Sequence, residues 1–160
     1  MGISFSDDNM PKENIIKLVI WDLDDTFWRG TLSEEEVVLI PENIQIIRTL
    51  SQRGIVNSIC SKNDEQMALQ KLQESGIAGL LVFPHISWNA KGEQVKHIIN
   101  QCQLRPANVL FIDDNPTNLR EVEFYNPGIQ TMDAKDIPKL LDDPRTAGSD
   151  DSGLTRLKQY

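Results

Sequence analysis

The stretch Lys17-Leu18-Val19-Ile20-Trp21 runs directly into Asp22-Leu23-Asp24-Asp25-Thr26, and this junction decides the fold. After Lys17 the run is apolar without alternation, which is the pattern of a strand buried on both faces of a parallel sheet. Three acids and a threonine follow at once, so a rigid element delivers a polar loop.

Working outward, the same pairing recurs. Phe27 to Ile40 holds Gly30 and a Ser33–Glu36 turn between β-prone pieces, which predicts a small hairpin. Pro41 opens a helix with Ile44, Ile47 and Leu50 on one face, and Gly54 closes it. Ile55 to Cys60 reads as a second strand, and Ser61-Lys62-Asn63-Asp64 as the cap of a helix that ends before Gly76. Leu80 to Phe83 reads as a third strand, and Asn89 to Gln103 as a helix carrying Val95, Ile98 and Ile99. Val109 to Ile112 is a fourth strand, ending in Asp113-Asp114-Asn115-Pro116. A helix from Thr117 to Phe124 and a short strand from Ile129 to Met132 complete the alternation.

This order predicts an α/β fold: a doubly wound, Rossmann-like parallel sheet of about five strands with a small hairpin flap. Residues 1–14 read as a flexible leader and 15–133 as the core. Residues 134–160 read as a C-terminal helix and linker leading toward a further domain. In such sheets the ligand site lies beyond the carboxyl ends of the strands, at the switch point of the winding. The polar clusters 22–26, 61–64 and 113–115 all fall there.

The chain has 160 residues, enough for one well-formed core, and a formal net charge of −8. That acidity argues against nucleic acid as a partner, since phosphate backbones are bound by basic surfaces. No apolar run approaches the roughly 20 residues needed to span a membrane. The first residues, MGISFSDDNMPKEN, carry acids where a signal peptide would be basic and then apolar. The expected location is cytoplasmic. Cys60 and Cys102 are far apart without metal-type spacing, so both are expected as reduced thiols.

Asp22 and Asp24 offer two acids at one strand end. A carboxylate that attacks phosphorus needs a cation to offset charge repulsion and a nearby acid for the leaving oxygen. Asp113 and Asp114 form a second acid pair, and hard oxygen ligands suit magnesium. Ser61 stands where a helix start favours phosphate, or is simply an N-cap. Lys91, at the start of the next helix and with Lys96 as competitor, is a candidate to neutralise a phosphoryl oxygen or hold Asp22 charged, or is simply a solvated lysine. Trp28 and Trp88 either rim the site or pack. His85 and His97 have no partners at ligand spacing and read as structural. Arg29, Lys62, Lys91 and Arg120 are candidates for a basic entrance.

The ordered set of strand plus DxDxT, strand plus Ser, Lys, and strand plus DD resembles the haloacid dehalogenase superfamily across residues 17–132. The resemblance implies that Asp22 forms an aspartyl-phosphate and Asp24 acts as acid, then base. It implies a Mg2+ held by Asp22, the Asp24 carbonyl and Asp113, with Asp114 bonded directly or through water. Ser61 and Lys91 would hold the phosphoryl group, with Thr26, Trp28, Arg29, Lys62 and Asn63 as substrate-side residues.

Within that superfamily, WDLDDTFWRGTL at 21–32, ICSKND at 59–64 and FIDDNP at 111–116 resemble the FkbH-like branch of subfamily IIIC. Its members move a glyceryl unit from a phosphorylated acyl donor to an acyl carrier protein. That reading makes Cys60 a candidate acyl-holding thiol, and Arg29 stands where the branch more usually has glycine. The intervals from Thr26 to Ile55 and from Ser61 to Lys91 have no room for a cap domain. The expected partner is a phosphorylated small-molecule or carrier-bound substrate. An open, capless site suits a bulky or protein-bound phosphate, because small-molecule phosphatases usually need closure to exclude water. The alternatives are a simple phosphomonoester hydrolase, a receiver-like module or a non-catalytic docking module. A receiver carries its acid pair on the first strand, the reverse of the order here.

Overall fold

The structure is a computed structural model that describes residues 14–160. The leader expected at 1–14 therefore lies almost wholly outside the described residues.

The central strand β1 (Leu18–Trp21) is buried along its whole length. Side chains alternate across a sheet, so its residues serve two cores. Val19 and Trp21 join Ile46, Ile47, Leu50 and Leu72 on one face. Leu18 and Ile20 join Val95, Ile98, Phe111 and Val122 on the other. The first face is covered by α1 (Pro41–Gln52) and α2 (Glu65–Ser75), and the second by α3 (Lys91–Gln101) and α4 (Pro116–Tyr125). Continuous burial, not alternation, is what a sheet sandwiched between helices demands of its strands.

Two two-residue strands, β2 (Trp28–Arg29) and β3 (Val38–Leu39), pair antiparallel as the expected hairpin flap. The main sheet contains β4 (Val56–Ser61), β5 (His85–Ile86), β6 (Val109–Asp113) and β7 (Gln130–Asp133) beside β1. Its order is β5-β4-β1-β6-β7 and every pairing is parallel. The chain winds outward from β1 through β4 to β5, then returns to the other side of β1 for β6. The switch point thus lies between β1 and β6, and Asp22 N–H extends their ladder by donating to Ile112 O at 2.9 Å.

The third strand departs from the sequence reading. Ala78–Leu80 is a short 3-10 turn, Leu81 makes a single bridge to Asn57, and the strand proper is His85–Ile86. Phe83 takes a positive φ of 45° and Pro84 has no N–H, so the ladder breaks there. The expected helix near Ile137 is a 3-10 helix, Ala134–Asp142, with Pro138 inside and Ile137 and Leu140 buried three residues apart. Beyond it the chain lies along the end of α1, where Ser149 N–H donates to Arg53 O at 3.1 Å and Asp151 N–H to Gln52 O at 2.7 Å. The last helix, α5 (Thr155–Lys158), has four residues. Among the described residues no helix is long and apolar enough to cross a membrane.

Candidate active site

Two neighbouring strands end in carboxylates, and a third element brings a cation between them. Asp22 follows β1 and Asp113 closes β6; Lys91 opens α3. Lys91 Nζ donates to Asp22 Oδ1 and to Asp113 Oδ2, both at 2.7 Å. All three are buried, with Asp113 fully enclosed. Burial works to lower the lysine, but Asp22 and then Asp113 raise it above its ordinary range, so the ammonium is charged. Burial pushes the Asp22 carboxyl up to about 7, with Lys91 pulling it down and Asp113 adding to the rise. One ammonium against two buried carboxylates leaves negative charge in excess.

Asp114 adds to that excess. Its exposed carboxylate accepts from Thr26 Oγ1 at 3.3 Å, and the same hydroxyl lies 3.0 Å from Asp22 Oδ2. Burial of part of its surface and the adjoining Asp113 raise its pKa. Asp22, Asp113 and Asp114 each offer an oxygen within 4.8 Å of the others. Three hard oxygen donors around surplus negative charge fit a divalent cation such as Mg2+.

The loop after β1 then doubles back. Asp25 takes a left-handed φ of 55°, a conformation that Asp tolerates better than most residues. Its Oδ1 accepts the Gly30 N–H at 2.9 Å while its own N–H donates to Gly30 O at 3.2 Å. This return carries Asp24 over the strand ends, where three donors fix its carboxylate. Trp28 Nε1 and Leu32 N–H reach Oδ1 at 2.9 and 3.1 Å, and Asn63 Nδ2 reaches Oδ2 at 3.1 Å. The Asp24 carboxylate stands outside the three-acid cluster, and Asp24 is among the residues that line the cleft. The cleft itself is open, about 240 Å3, with Asp22, Asp24, Ser61, Lys62, Lys91 and Asn118 among its walls.

Most sequence-derived candidates converge there, though not always in the expected manner. Ser61 is 1% exposed and is the last residue of β4; the cap of α2 is Asp64, whose side chain accepts from Met67 N–H at 2.9 Å. Trp28 is fully buried and acts through its indole N–H. Trp88 is exposed and Lys96 is on the surface. Arg29 does not border the cleft; it lines a neighbouring hollow with Lys135. His85 and His97 stack at 6.2 Å, with His85 Nε2 also 2.8 Å from Gln101 Oε1.

Cys60 is the largest departure. It is fully buried in the core beneath α3, its Sγ lies 3.9 Å from Lys91 O, and burial pushes the thiol up to about 12. A neutral, enclosed thiol does not present a nucleophile to the cleft. The sequence reading also missed Asn118, whose Nδ2 donates to Asp113 Oδ2 at 3.1 Å. The signal for it was present: it sits in the first turn of a helix that begins at the acid pair.

No family model matches the chain, and no curated protein matches it. Solved structures do. One is the N-terminal part of a Bacteroides fragilis protein, containing a phosphatase domain and complexed with Mg. It is 23% identical over 86% of this chain and 41% of that one, with a TM-score of 0.67, so the present chain spans about two fifths of its length. The cobalt-bound deoxy-D-mannose-octulosonate 8-phosphate phosphatase of Haemophilus influenzae is 19% identical over 76% of this chain and 69% of that one, TM-score 0.60. The 3-deoxy-D-manno-octulosonate 8-phosphate phosphatase of Moraxella catarrhalis, in complex with magnesium, phosphate and the sugar acid, is 20% identical over 70% and 65%, TM-score 0.54. These likenesses show that the chain shares its parallel-sheet α/β fold with these structures.

Proposed function

We propose that this chain is a magnesium-dependent phosphatase or phosphotransferase of the haloacid dehalogenase type. The observation that carries it is the meeting of Asp22, Asp113 and Lys91 at the switch point, with Asp114 completing a cation-sized acidic cluster. The resident cation would be held by Asp22, Asp113 and Asp114, and would offset repulsion between carboxylate and phosphate. Asp22 then attacks phosphorus: a bond forms from its carboxylate oxygen as the bond to the leaving oxygen breaks. Asp24, held by Trp28, Leu32 and Asn63, protonates that oxygen and afterwards takes a proton from the water that releases phosphate. Lys91 and Ser61 hold the phosphoryl oxygens, and Lys62 stands at the rim for the leaving group.

The test is hydrolysis of a generic aryl phosphate with and without Mg2+. Asp22→Asn is expected to abolish the Mg2+-dependent rate while the fold survives, and undiminished turnover in that variant would sink the reading.

Glyceryl transfer to an acyl carrier protein is the finer alternative, supported by the three motif segments alone. The burial of Cys60 speaks against an acyl group held on that thiol, so we favour release of phosphate to water from a phosphomonoester. Intact-mass spectrometry with a bisphosphorylated glycerate donor separates the two: an acyl adduct on this chain or on a carrier protein would reverse the preference.

A further inference from the structure

Lys91 is the first residue of α3, and its ammonium can sit between two carboxylates only if the helix start is held in place. The opening N–H groups of a helix lack partners within it, and a side-chain acceptor at the N-cap usually takes one. The N-cap here is Ala90, which has no such acceptor. A different element provides it: Glu121 Oε2, on α4, receives the Gly92 N–H at 3.0 Å. Asn126, buried at the end of α4, donates from Nδ2 to the Gly92 carbonyl at 3.1 Å. The Tyr125 ring closes on the Gly92 α-carbon so tightly that a Cβ there would lie 2.4 Å from the ring. Both polar groups and the α-carbon of the residue next to Lys91 are thus gripped by α4.

The same helix reaches the acids from its other end. It begins one residue after Asn115, directly beyond the acid pair, and Asn118 in its first turn donates to Asp113 Oδ2. That oxygen also accepts from Lys91 Nζ. One rigid helix therefore touches the acid pair through Asn118 and the backbone beside the lysine through Glu121. We propose that Glu121 is a positioning residue for Lys91, its carboxylate anchoring the start of α3 on α4 so that the ammonium stays between Asp22 and Asp113. A negative side chain at a helix N-terminus is also favoured by the helix dipole, which makes this anchor stronger than a neutral tie. The inference deepens the phosphoryl-transfer reading and rests on it for its kinetic consequence only.

Two measurements test it. In the aryl phosphate assay with Mg2+, Glu121→Ala is expected to lower kcat roughly 10-fold through misplacement of Lys91. Glu121→Gln, which keeps an oxygen to accept the Gly92 N–H, should recover most of that loss. Unchanged kcat per folded molecule in Glu121→Ala, with only a lower melting temperature, would mean a plain helix–helix tie and overturn the proposal. The second measurement needs no activity: a double-mutant cycle of Glu121→Ala with Lys91→Met, read by urea unfolding without Mg2+. Residues acting through one another should show a coupling of at least about twofold in the unfolding constant. Additive effects would overturn the proposal. Lys91→Arg takes the place of Lys91→Met in the cycle if the latter does not fold. Should Asp22→Asn retain hydrolysis, the phosphatase reading falls, and the unfolding cycle alone decides the role of Glu121.

Discussion

Lys91 Nζ lies 2.7 Å from Asp22 Oδ1, across 69 residues of chain, and both side chains are buried at the floor of the cleft. With Asp113 equally close, this cation offsets part of the repulsion between two buried carboxylates. Removing one partner of a buried ionic group typically costs about 3–5 kcal/mol, because the remaining charge is left uncompensated. Lys91→Met is therefore expected to lose stability of about that size without metal. Mg2+ should restore more stability to the variant than it adds to the wild-type protein, since it takes over the missing positive charge. Urea unfolding with and without Mg2+ reads both quantities, and equal metal responses would contradict the account.

Asn63 makes a second prediction. It donates a hydrogen bond to Asp24 Oδ2, while Trp28 and Leu32 hold Oδ1. Losing one of three anchors lets the proposed acid swing away from the leaving oxygen, and small misplacements of reacting groups are costly. Asn63→Ala should lower kcat roughly 10-fold with little change in melting temperature. A loss confined to KM would point instead to ground-state binding.

The frame of this site was legible in the sequence because it obeys a positional rule. Asp22 and Asp113 each stand at the end of a strand whose apolar run is easily seen, and Ser61 closes the β-prone stretch between two helices. Cys60, within the same strand, was legible as a buried thiol; only the acyl-holding role implied by the resemblance does not meet the cleft. Other relations were not, because they join residues distant in sequence. Nothing local indicates that Asn63 would reach the Asp24 carboxylate across 39 residues of chain, or that Arg29 would fall beside Lys135 in a separate hollow. The third strand slipped for a backbone reason, the positive φ of Phe83, which no hydrophobic pattern reveals.

Gly92 offers a prediction whose sign is opposite to helix propensity. In an exposed helix Gly→Ala stabilises by up to about 1 kcal/mol. Here the added Cβ would meet Tyr125 Cδ1 at 2.4 Å and Cγ at 2.6 Å. The ring stem is fixed by α4, so the helices must separate. Overpacking of this kind costs about 1–3 kcal/mol. Gly92→Ala is thus expected to be destabilising in urea unfolding and to impair turnover, because the separation begins beside Lys91. A neutral or stabilising result would show that Tyr125 swings aside freely.

The last prediction concerns the pH dependence of stability outside the site. Arg145 Nε donates to both oxygens of Asp143, at 3.0 and 3.2 Å, and its Nη2 reaches Oδ2 at 2.6 Å. These hydrogen bonds hold the Asp143 carboxyl below its ordinary value of 3.8, against a partial burial that works to raise it. A carboxyl depressed in the folded state adds stability that is fully present above its unfolded pKa and is lost as pH falls through the folded one. The pair is partly exposed, so its contribution is that of a surface ion pair, about 0.5 kcal/mol. Asp143 also caps the following 3-10 turn by accepting from Arg145 N–H at 2.9 Å, a role that Asn fills equally well. Asp143→Asn therefore isolates the charge. Its cost should be visible in urea unfolding at neutral pH and shrink as the solution is acidified below the ordinary carboxylate range. A cost that stays constant with pH would assign the contribution to the cap and not to the ion pair.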